Sequence, residues 1–288
     1  KKSSGIIPHL KTYDVDTLAF KQGTTRRGSY AAYLDISHPD IIDFLDIRKE
    51  TGDQNRRCLN LHHGVNIPDS FMQIIERCML NDEEDDSWEL KDPATGKVHE
   101  VVSAKYLWTT LLELRAGAGR GEPYIHFIDN VNNQVKDYLK KQGYVVRQSN
   151  LCSEIELMTD EEKTAVCCLS SINLELWDEY KNNYQFFLDI MEMLDNVMQV
   201  FIDTAPSVIS RAIKSAVEER SVGLGVMGFH SYLQKNSVPF DCAMAKAINN
   251  SIFKTFKRML DKANAELGAA RGSPKLLEGT GLRFAHCS

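Results

Sequence analysis

Apolar and polar residues follow one another with two different periods along the chain, and these periods predict strands interspersed with helices. Short apolar, aromatic or glycine-containing runs are typical of strands, and they occur at Ser29–Asp35, Leu61–Ile67, Tyr124–Ile128, Val166–Leu174 and Ser221–Met227. Helical spacing of apolar residues predicts helices at Pro39–Glu50, Asp69–Met79, Ala104–Ala116, Asp129–Lys141, Gln185–Ile202, Ser207–Glu219 and Ala243–Leu267. This alternation indicates an α/β domain with a largely parallel sheet, of which a barrel is one form.

The most strongly amphipathic segment is Gln185–Ile202. We expect one side of this helix to face a core through Phe187, Ile190, Met191, Leu194, Val197, Met198 and Phe201. Thr51–Arg57 is polar and contains Gly52, which predicts a loop, and the acidic run Asn81–Asp86 is typical of a solvated surface loop. Because no stretch has the composition of a linker, residues 1–288 are predicted to be part of a single domain.

The composition narrows the classes of function. Hydrophobic residues make up 43% and charged residues 26% of the chain, as in an ordinary globular protein. The net charge of −6 argues against DNA or RNA as a partner, and no apolar run is long enough to cross a membrane. The seven cysteines are an odd number, and no signal peptide precedes them. We therefore expect a reducing, cytoplasmic location, where each thiol either fills a core or is reactive.

A short polar motif carries the candidate chemistry. Within Arg147–Ile155 (RQSNLCSEI), Asn150, Cys152 and Glu154 are two residues apart, which places them on one face if the segment is extended. The thiol is redox-active, the carboxylate is a possible general base, and the amide can hold hydroxyl groups. The alternative is that Cys152 is a small buried hydrophobic residue, but polar neighbours in register make burial costly.

The same motif resembles the active-site finger loop of class I ribonucleotide reductases, which has the pattern Asn-Leu-Cys-x-Glu. Ala165–Leu174 (AVCCLSSINL) resembles the segment of that family that carries one of two reducing cysteines. Further stretches resemble the same subunit in the same order, namely Arg26–Leu34, His38–Asp46, Arg56–Pro68 and Arg220–Tyr232, so the resemblance runs from about Gly5 to Leu282. It implies a ten-stranded α/β barrel, present in part, with Cys152 on a finger loop at its centre.

The resemblance also implies a role for each motif residue in the reduction of ribonucleotides, most simply diphosphates, to 2′-deoxyribonucleotides. Cys152 would form a transient thiyl radical and abstract the ribose 3′ hydrogen. Glu154 would take the proton of the 3′ hydroxyl, and Asn150 would orient the ribose hydroxyls. Cys167 would be one of two thiols that become a disulfide. Motif alignment leaves Cys168 as a packed core thiol, and the family pattern places the second reducing cysteine upstream of Lys1.

The family's cofactors and partners follow from the same resemblance. The chain itself would bind no cofactor and no metal, because a metal-containing small subunit would supply the radical. Further partners would be a second large subunit or a complementary split fragment, thioredoxin or glutaredoxin, and nucleotide effectors. Thr51–Arg57 resembles the family's specificity loop, in which Gln54 and Arg57 would contact nucleotides; the alternative is a solvated polar loop.

Several alternatives remain open at this point. By this resemblance we expect the given sequence to lack the N-terminal regulatory region and the C-terminal tail of the family. The chain could then be a noncatalytic nucleotide-binding fragment, and by itself it is expected to be inactive. Adenosylcobalamin-dependent reductases usually carry Asn-Pro-Cys-Gly-Glu, whereas Leu151 and Ser153 favour class I. A cysteine nucleophile with a histidine base finds no support in any motif. His62–His63 lacks metal-ligand spacing, and Gly223-x-Gly225-x-x-Gly228 indicates close strand packing rather than dinucleotide binding.

Overall fold

The computed structural model describes residues 4–23, 25–117 and 121–287, and these fall into two compact units. The first unit comprises the described residues among 1–135 together with 145–157, and the second comprises those among 136–144 and 158–288. In chain order the first unit contains α1 (Ile7–Ala19), β1 (Lys21–Gln22), β2 (Arg26–Arg27), β3 (Ala31–Asp35), α2 (Ile41–Leu45), β4 (His62–Ile67), α3 (Asp69–Leu80), β5 (Ser87–Lys91), β6 (Val98–Ser103), α4 (Ala104–Ala116), β7 (Tyr124–Phe127) and α5 (Ile128–Gln134). The second contains α6 (Asp137–Lys140), β8 (Leu169–Asn173), α7 (Trp177–Tyr180), α8 (Tyr184–Thr204), α9 (Ser210–Glu219), β9 (Gly223–Met227), α10 (Phe229–Lys235) and α11 (Ala243–Arg271).

A three-stranded parallel sheet in the order β3-β4-β7 forms the centre of the first unit. Side chains alternate between its two faces. On one face Val65 and Ile67 are fully buried and pack with apolar residues of α2, α3 and α4. Burial of such a side chain contributes about 1.5–3 kcal/mol, so this face holds the helices on the sheet. The opposite face carries polar residues, among them Asp35, Asn66 and His126.

An antiparallel pair of strands, β5 and β6, is absent from the sequence-based prediction. Trp88 and Leu90 point from β5 into the core of the first unit, where the Trp88 ring packs edge-on against Phe71 at 5.0 Å between centroids. Asp92 organises the connection through bonds that its Oδ1 accepts from the backbone of Ala94 and Thr95. The sequence did not predict these strands because charged residues at their solvent-exposed positions leave few apolar residues to form a recognisable alternating pattern.

The second unit contains the parallel pair β8-β9 and a core contributed mainly by α8 and α11. A Cβ atom on Gly223 would lie 2.5 Å from Cδ2 of Leu169 on the neighbouring strand. The interpretation of the glycine spacing as close strand packing is therefore confirmed. The predicted helix at Gln185–Ile202 is also confirmed, but Val197 is 52% exposed, and the buried face includes Asp195, which the apolar pattern left out.

Two predicted helices are shorter than their periodicity suggested. The helix predicted at Pro39–Glu50 ends at Leu45 as α2, because the following turn is held by tertiary bonds such as that from Cys58 N to Ile47 O at 2.7 Å. The helix predicted at Asp129–Lys141 is divided into α5 and α6, since Val135 has an extended ψ of 135°.

Two of the predicted element boundaries are also shifted. The sequence suggests Asp69 as the N-terminal cap of a helix, but Asp69 is the first helical residue of α3 and its N–H donates to Oδ2 of Asp129. The strand predicted from Val166 begins at Leu169. Among the described residues no helix combines the length and the apolar character needed to cross a membrane.

Candidate active site

Residues 145–157, which we call the finger segment, contain no helix or strand and include a tight turn. The N–H of Ser153 donates to the carbonyl oxygen of Asn150 at 3.2 Å, and Ser153 has a φ of +60°. The expectation that Asn150, Cys152 and Glu154 share one face of an extended segment is therefore wrong. The structure instead brings these residues together around a turn of the backbone.

The Asn150 side chain builds this turn. Its Oδ1 accepts hydrogen bonds from the backbone N–H groups of Glu154, at 3.0 Å, and Ile155, at 3.2 Å. Asn side chains compete in this way with regular secondary structure, which explains why the strand pattern fails here. Because Oδ1 is engaged, the amide Nδ2 is the group that Asn150 can offer to a sugar hydroxyl.

The turn presents Cys152 and Glu154 to solvent. Both residues are exposed, whereas Ser149 at the start of the turn is buried and its Oγ donates to the carbonyl oxygen of Ile155 at 2.9 Å. The alternative of a buried, purely structural Cys152 is therefore wrong. A thiol and a carboxylate two residues apart on an exposed turn can reach one small molecule.

Two tyrosines of the central sheet lie next to the turn. The Tyr33 hydroxyl of β3 donates to the carbonyl oxygen of Asn150 at 2.8 Å. Burial raises the pKa of Tyr33, and the negative charges of Glu156 and Glu154 add to this effect. Burial also raises the pKa of Tyr124 on β7, with contributions from Glu122 and Cys152. Both phenols therefore remain neutral hydrogen-bond donors at neutral pH.

Sequence reasoning missed the polar residues beneath the finger segment. Asn66 of β4 and His126 of β7 face each other in register, with Asn66 Oδ1 2.7 Å from His126 Nδ1. His126 Nε2 lies 3.0 Å from Oε2 of Glu156 in the finger segment. Polar residues in otherwise apolar strands, within HHGVNI and YIHF, were the available signal.

The Glu122 carboxylate contacts two histidines that are neighbours in the sequence, His62 and His63. Its carboxylate oxygens are 2.7 Å from His62 Nδ1 and 3.6 Å from His63 Nδ1. Burial favours a raised pKa for Glu122, but His63, His62 and the charge of Arg48 outweigh it and lower this pKa to about 2. Within residues 4–23, 25–117 and 121–287, no group of three or more His, Cys, Asp or Glu side chains is placed to hold a metal ion.

Comparison with known proteins identifies the family. The family model described as "Ribonucleotide reductase, barrel domain" matches residues 1–282. The chain belongs to this family. It is 46% identical to the ribonucleoside-diphosphate reductase large subunit of Invertebrate iridescent virus 3, over 99% of this chain and 52% of that protein. It is 48% identical to a putative large subunit of Frog virus 3, over 99% of this chain and 49% of that protein.

A solved structure supports the same assignment. The α subunit of the Actinobacillus ureae class Id ribonucleotide reductase has a TM-score of 0.75 and 34% identity to this chain, covering 90% of this chain and 44% of that one. The predicted α/β fold of the ribonucleotide reductase barrel type is thereby confirmed. The chain spans about half the length of the curated relatives it matches.

The two neighbouring cysteines before β8 differ in environment. Cys167 is exposed, whereas Cys168 is half-buried, packs against the second core and lies 3.7 Å from the Leu194 carbonyl oxygen. Burial raises the pKa of the Cys168 thiol. The interpretation of Cys168 as a packed thiol is confirmed, and the redox role of Cys167 stays a prediction.

In the loop proposed to sense nucleotides, both candidate side chains donate to nearby backbone carbonyl oxygens. A short 3₁₀ turn spans Gln54–Arg56, and Gln54 Nε2 donates to the Glu50 carbonyl oxygen at 3.3 Å. Arg57 Nε donates to the carbonyl oxygen of Thr51 at 2.9 Å. The predicted loop is therefore confirmed. Contact of Gln54 and Arg57 with nucleotides stays a prediction.

Proposed function

We propose that this chain is the catalytic part of a class I ribonucleotide reductase large subunit and that it reduces ribonucleoside diphosphates to 2′-deoxyribonucleotides. The observation that carries the proposal is the exposed Cys152 thiol on a turn built by Asn150, with the exposed Glu154 carboxylate two residues away. The two viral relatives are named as ribonucleoside-diphosphate reductases, which supports the substrate class.

Each motif residue has a role in the proposed reaction. Cys152, as a thiyl radical, takes a hydrogen atom from C3′ of the ribose and becomes a thiol. Glu154 accepts the proton of the 3′ hydroxyl while the Asn150 amide orients the sugar, and the protonated 2′ hydroxyl leaves as water. Two thiols, one of them Cys167, supply two electrons and two protons and become a disulfide. The hydrogen atom then returns from Cys152 to C3′, Glu154 returns its proton to the 3′ oxygen, and the radical is restored.

The partners are part of the same proposal. A separate metal-containing small subunit generates the radical, a second large subunit completes the dimer, and thioredoxin or glutaredoxin reduces the disulfide. The proposed location is the cytoplasm. Nucleotide effectors act through the loop that contains Gln54 and Arg57, where the exposed Gln54 side chain offers an amide for a base edge.

The replacement of Cys152 by Ser tests the proposal. In the full-length subunit, assayed with its radical-generating partner, Cys152→Ser should abolish deoxyribonucleotide formation, because a hydroxyl cannot replace the sulfur radical. The fold should persist, since the side chain is exposed and isosteric. Circular dichroism and product chromatography measure the two properties.

A second Cys→Ser replacement provides the matched control. Cys242 lies at the N-terminus of α11, where its Sγ accepts from Ala245 N, and Ser is a good helix cap. Cys242→Ser should therefore retain full turnover. Normal product formation by Cys152→Ser would overturn the proposed function.

A further inference from the structure

The polar face of the β3-β4-β7 sheet holds two buried side chains to which the proposed reaction assigns no role. Asn66 is 5% exposed and His126 is 4% exposed. Burying an amide and an imidazole is costly unless their hydrogen bonds are satisfied. The partners that satisfy these two residues lie in the finger segment and on β3.

The hydrogen bonds of Asn66 determine which atom donates and which accepts between Asn66 and His126. Asn66 Nδ2 donates to Oδ1 of Asp35 at 2.8 Å and to the carbonyl oxygen of Arg147 at 2.9 Å. Asn66 Oδ1 must then be the acceptor toward His126 Nδ1, so Nδ1 carries a hydrogen. Through Arg147, the network already holds the finger segment three residues before Asn150.

The second ring nitrogen of His126 contacts the part of the finger segment that follows the turn. His126 Nε2 and Glu156 Oε2 are 3.0 Å apart. Since Nδ1 carries its own hydrogen, this contact requires one further proton, either on Nε2 facing a carboxylate or on the Glu156 carboxyl group. In both forms one hydrogen bond connects β7 to the residue two positions after Glu154.

From these contacts we propose that His126 is a positioning residue that sets the placement of the Cys152 turn. The connected side chains of Asn66, His126 and Glu156 hold the finger segment on both sides of the turn, while Tyr33, whose ring packs edge-on against His126 at 5.6 Å, holds the Asn150 carbonyl oxygen. The inference rests on the proposed function, because it concerns the placement of the same thiol. A displacement of about 1 Å in such a group can reduce a rate about 100-fold.

Hydrogen–deuterium exchange tests the placement without any need for activity. Glu156 is 31% exposed, so its replacement should leave the fold intact. In Glu156→Leu, the backbone amides of Ser153, Glu154 and Ile155 should exchange about tenfold faster or more, because the turn loses its connection to β7. Amides of β4 and β7 should exchange as in the unaltered chain.

Glu156→Gln provides the matched control. Its amide N–H can donate to Nε2 of a neutral His126, so the hydrogen bond persists and exchange of the turn should stay within about twofold of the unaltered chain. His126→Gln is a second disruptive variant, and it should accelerate exchange in the same three amides. A purely structural role would give a general change in exchange instead of this pattern.

Turnover by the full-length subunit then separates this proposal from the proposed function. Glu156→Leu should lower kcat by about tenfold or more with a smaller change in KM, and Glu156→Gln should restore kcat. If the disruptive variants exchange faster but neither they nor the unaltered protein turns over substrate, the proposed function is wrong and the positioning role of His126 stands. Normal turnover with unchanged exchange in Glu156→Leu and His126→Gln would overturn the positioning role alone.

Discussion

Asp195 is a buried carboxylate on α8 that is paired with three arginines. It is 1% exposed, and its oxygens lie 2.8 Å from Arg220 Nε, 2.7 Å from Arg271 Nη1 and 3.0 Å from Arg283 Nε. Burial favours a raised pKa for Asp195, but the hydrogen bonds and charges of the three guanidinium groups lower it. The residue therefore connects α8 with the chain before β9, with the end of α11 and with the segment that follows it.

We predict that Asp195→Ala lowers the free energy of unfolding by about 3–5 kcal/mol, because it leaves the buried Arg220 guanidinium without its counter-ion. Asp189→Ala on the exposed side of the same helix is the control and should change it by less than about 1 kcal/mol. Urea denaturation monitored by circular dichroism measures both. Equal effects of the two substitutions would contradict the structural role of Asp195.

Glu122 should make stability depend on pH in the acid range. Its pKa is lowered from 4.5 to about 2 in the folded chain, so the folded state binds a proton less readily than the unfolded state. The resulting stabilisation, at most about 3 kcal/mol, is present above pH 4.5 and is lost as the pH falls toward 2.

The Glu122→Gln variant isolates this contribution. We expect it to be less stable than the unaltered chain at neutral pH, and the difference should shrink between pH 4.5 and pH 2. Unfolding free energies measured across this range provide the comparison. A difference that does not depend on pH would show that the Glu122 carboxylate is not held in its ionised form.

At the scale of elements, the start of α10 depends on a glycine. Gly228 has a φ of +75°, and a Cβ atom at this position would overlap Oδ1 of Asn173, which follows from the parallel pairing of β8 and β9. Asn173 Oδ1 itself accepts from Glu175 N at 3.0 Å, so it cannot move away freely. The glycine therefore allows β9 to turn directly into α10.

Gly228→Ala should lower the free energy of unfolding by about 2 kcal/mol or more, through backbone strain and the clash with Asn173. Gly117→Ala, at the end of α4, is the control, because Gly117 has a φ of −72° and no described atom within 4 Å of its Cβ position. That variant should be neutral or slightly stabilising. Chemical denaturation of both variants tests the difference, and an equally mild effect at Gly228 would contradict it.

The spacing of apolar residues predicted helices and strands correctly where it coincides with the face that is buried in the structure. The helices α4, α8 and α11 and the strands β3, β4, β7 and β9 lie close to their predicted positions, because their apolar spacing matches one buried face. In the finger segment, by contrast, the pattern failed to predict the structure. There the Asn150 side chain replaces strand pairing by local hydrogen bonds, which no hydrophobic period reveals.

At the scale of the whole molecule, the described residues of each unit include a hydrophobic cluster of buried side chains. Phe71 is fully buried in the cluster of the first unit and Phe187 in that of the second. Each truncation to Ala should cost about 3–5 kcal/mol. We predict that Phe71→Ala accelerates amide exchange mainly in the first unit and Phe187→Ala mainly in the second.

Hydrogen–deuterium exchange with peptide resolution measures this separation, and each variant serves as the control for the other. If both substitutions accelerate exchange equally in both units, the chain unfolds as one cooperative body. The prediction that residues 1–288 are part of a single domain would gain support from that outcome.

The sequence by itself determined the α/β class, most helices and the motif that contains Asn150, Cys152 and Glu154, because hydrophobic period and local spacing are properties of neighbouring residues. Only the tertiary structure decided that Tyr33, Asn66 and His126 lie next to this motif. These residues are 30 to 117 positions from their finger-segment partners. Their hydrogen bonds depend on the register of three parallel strands, which spacing along one chain does not encode.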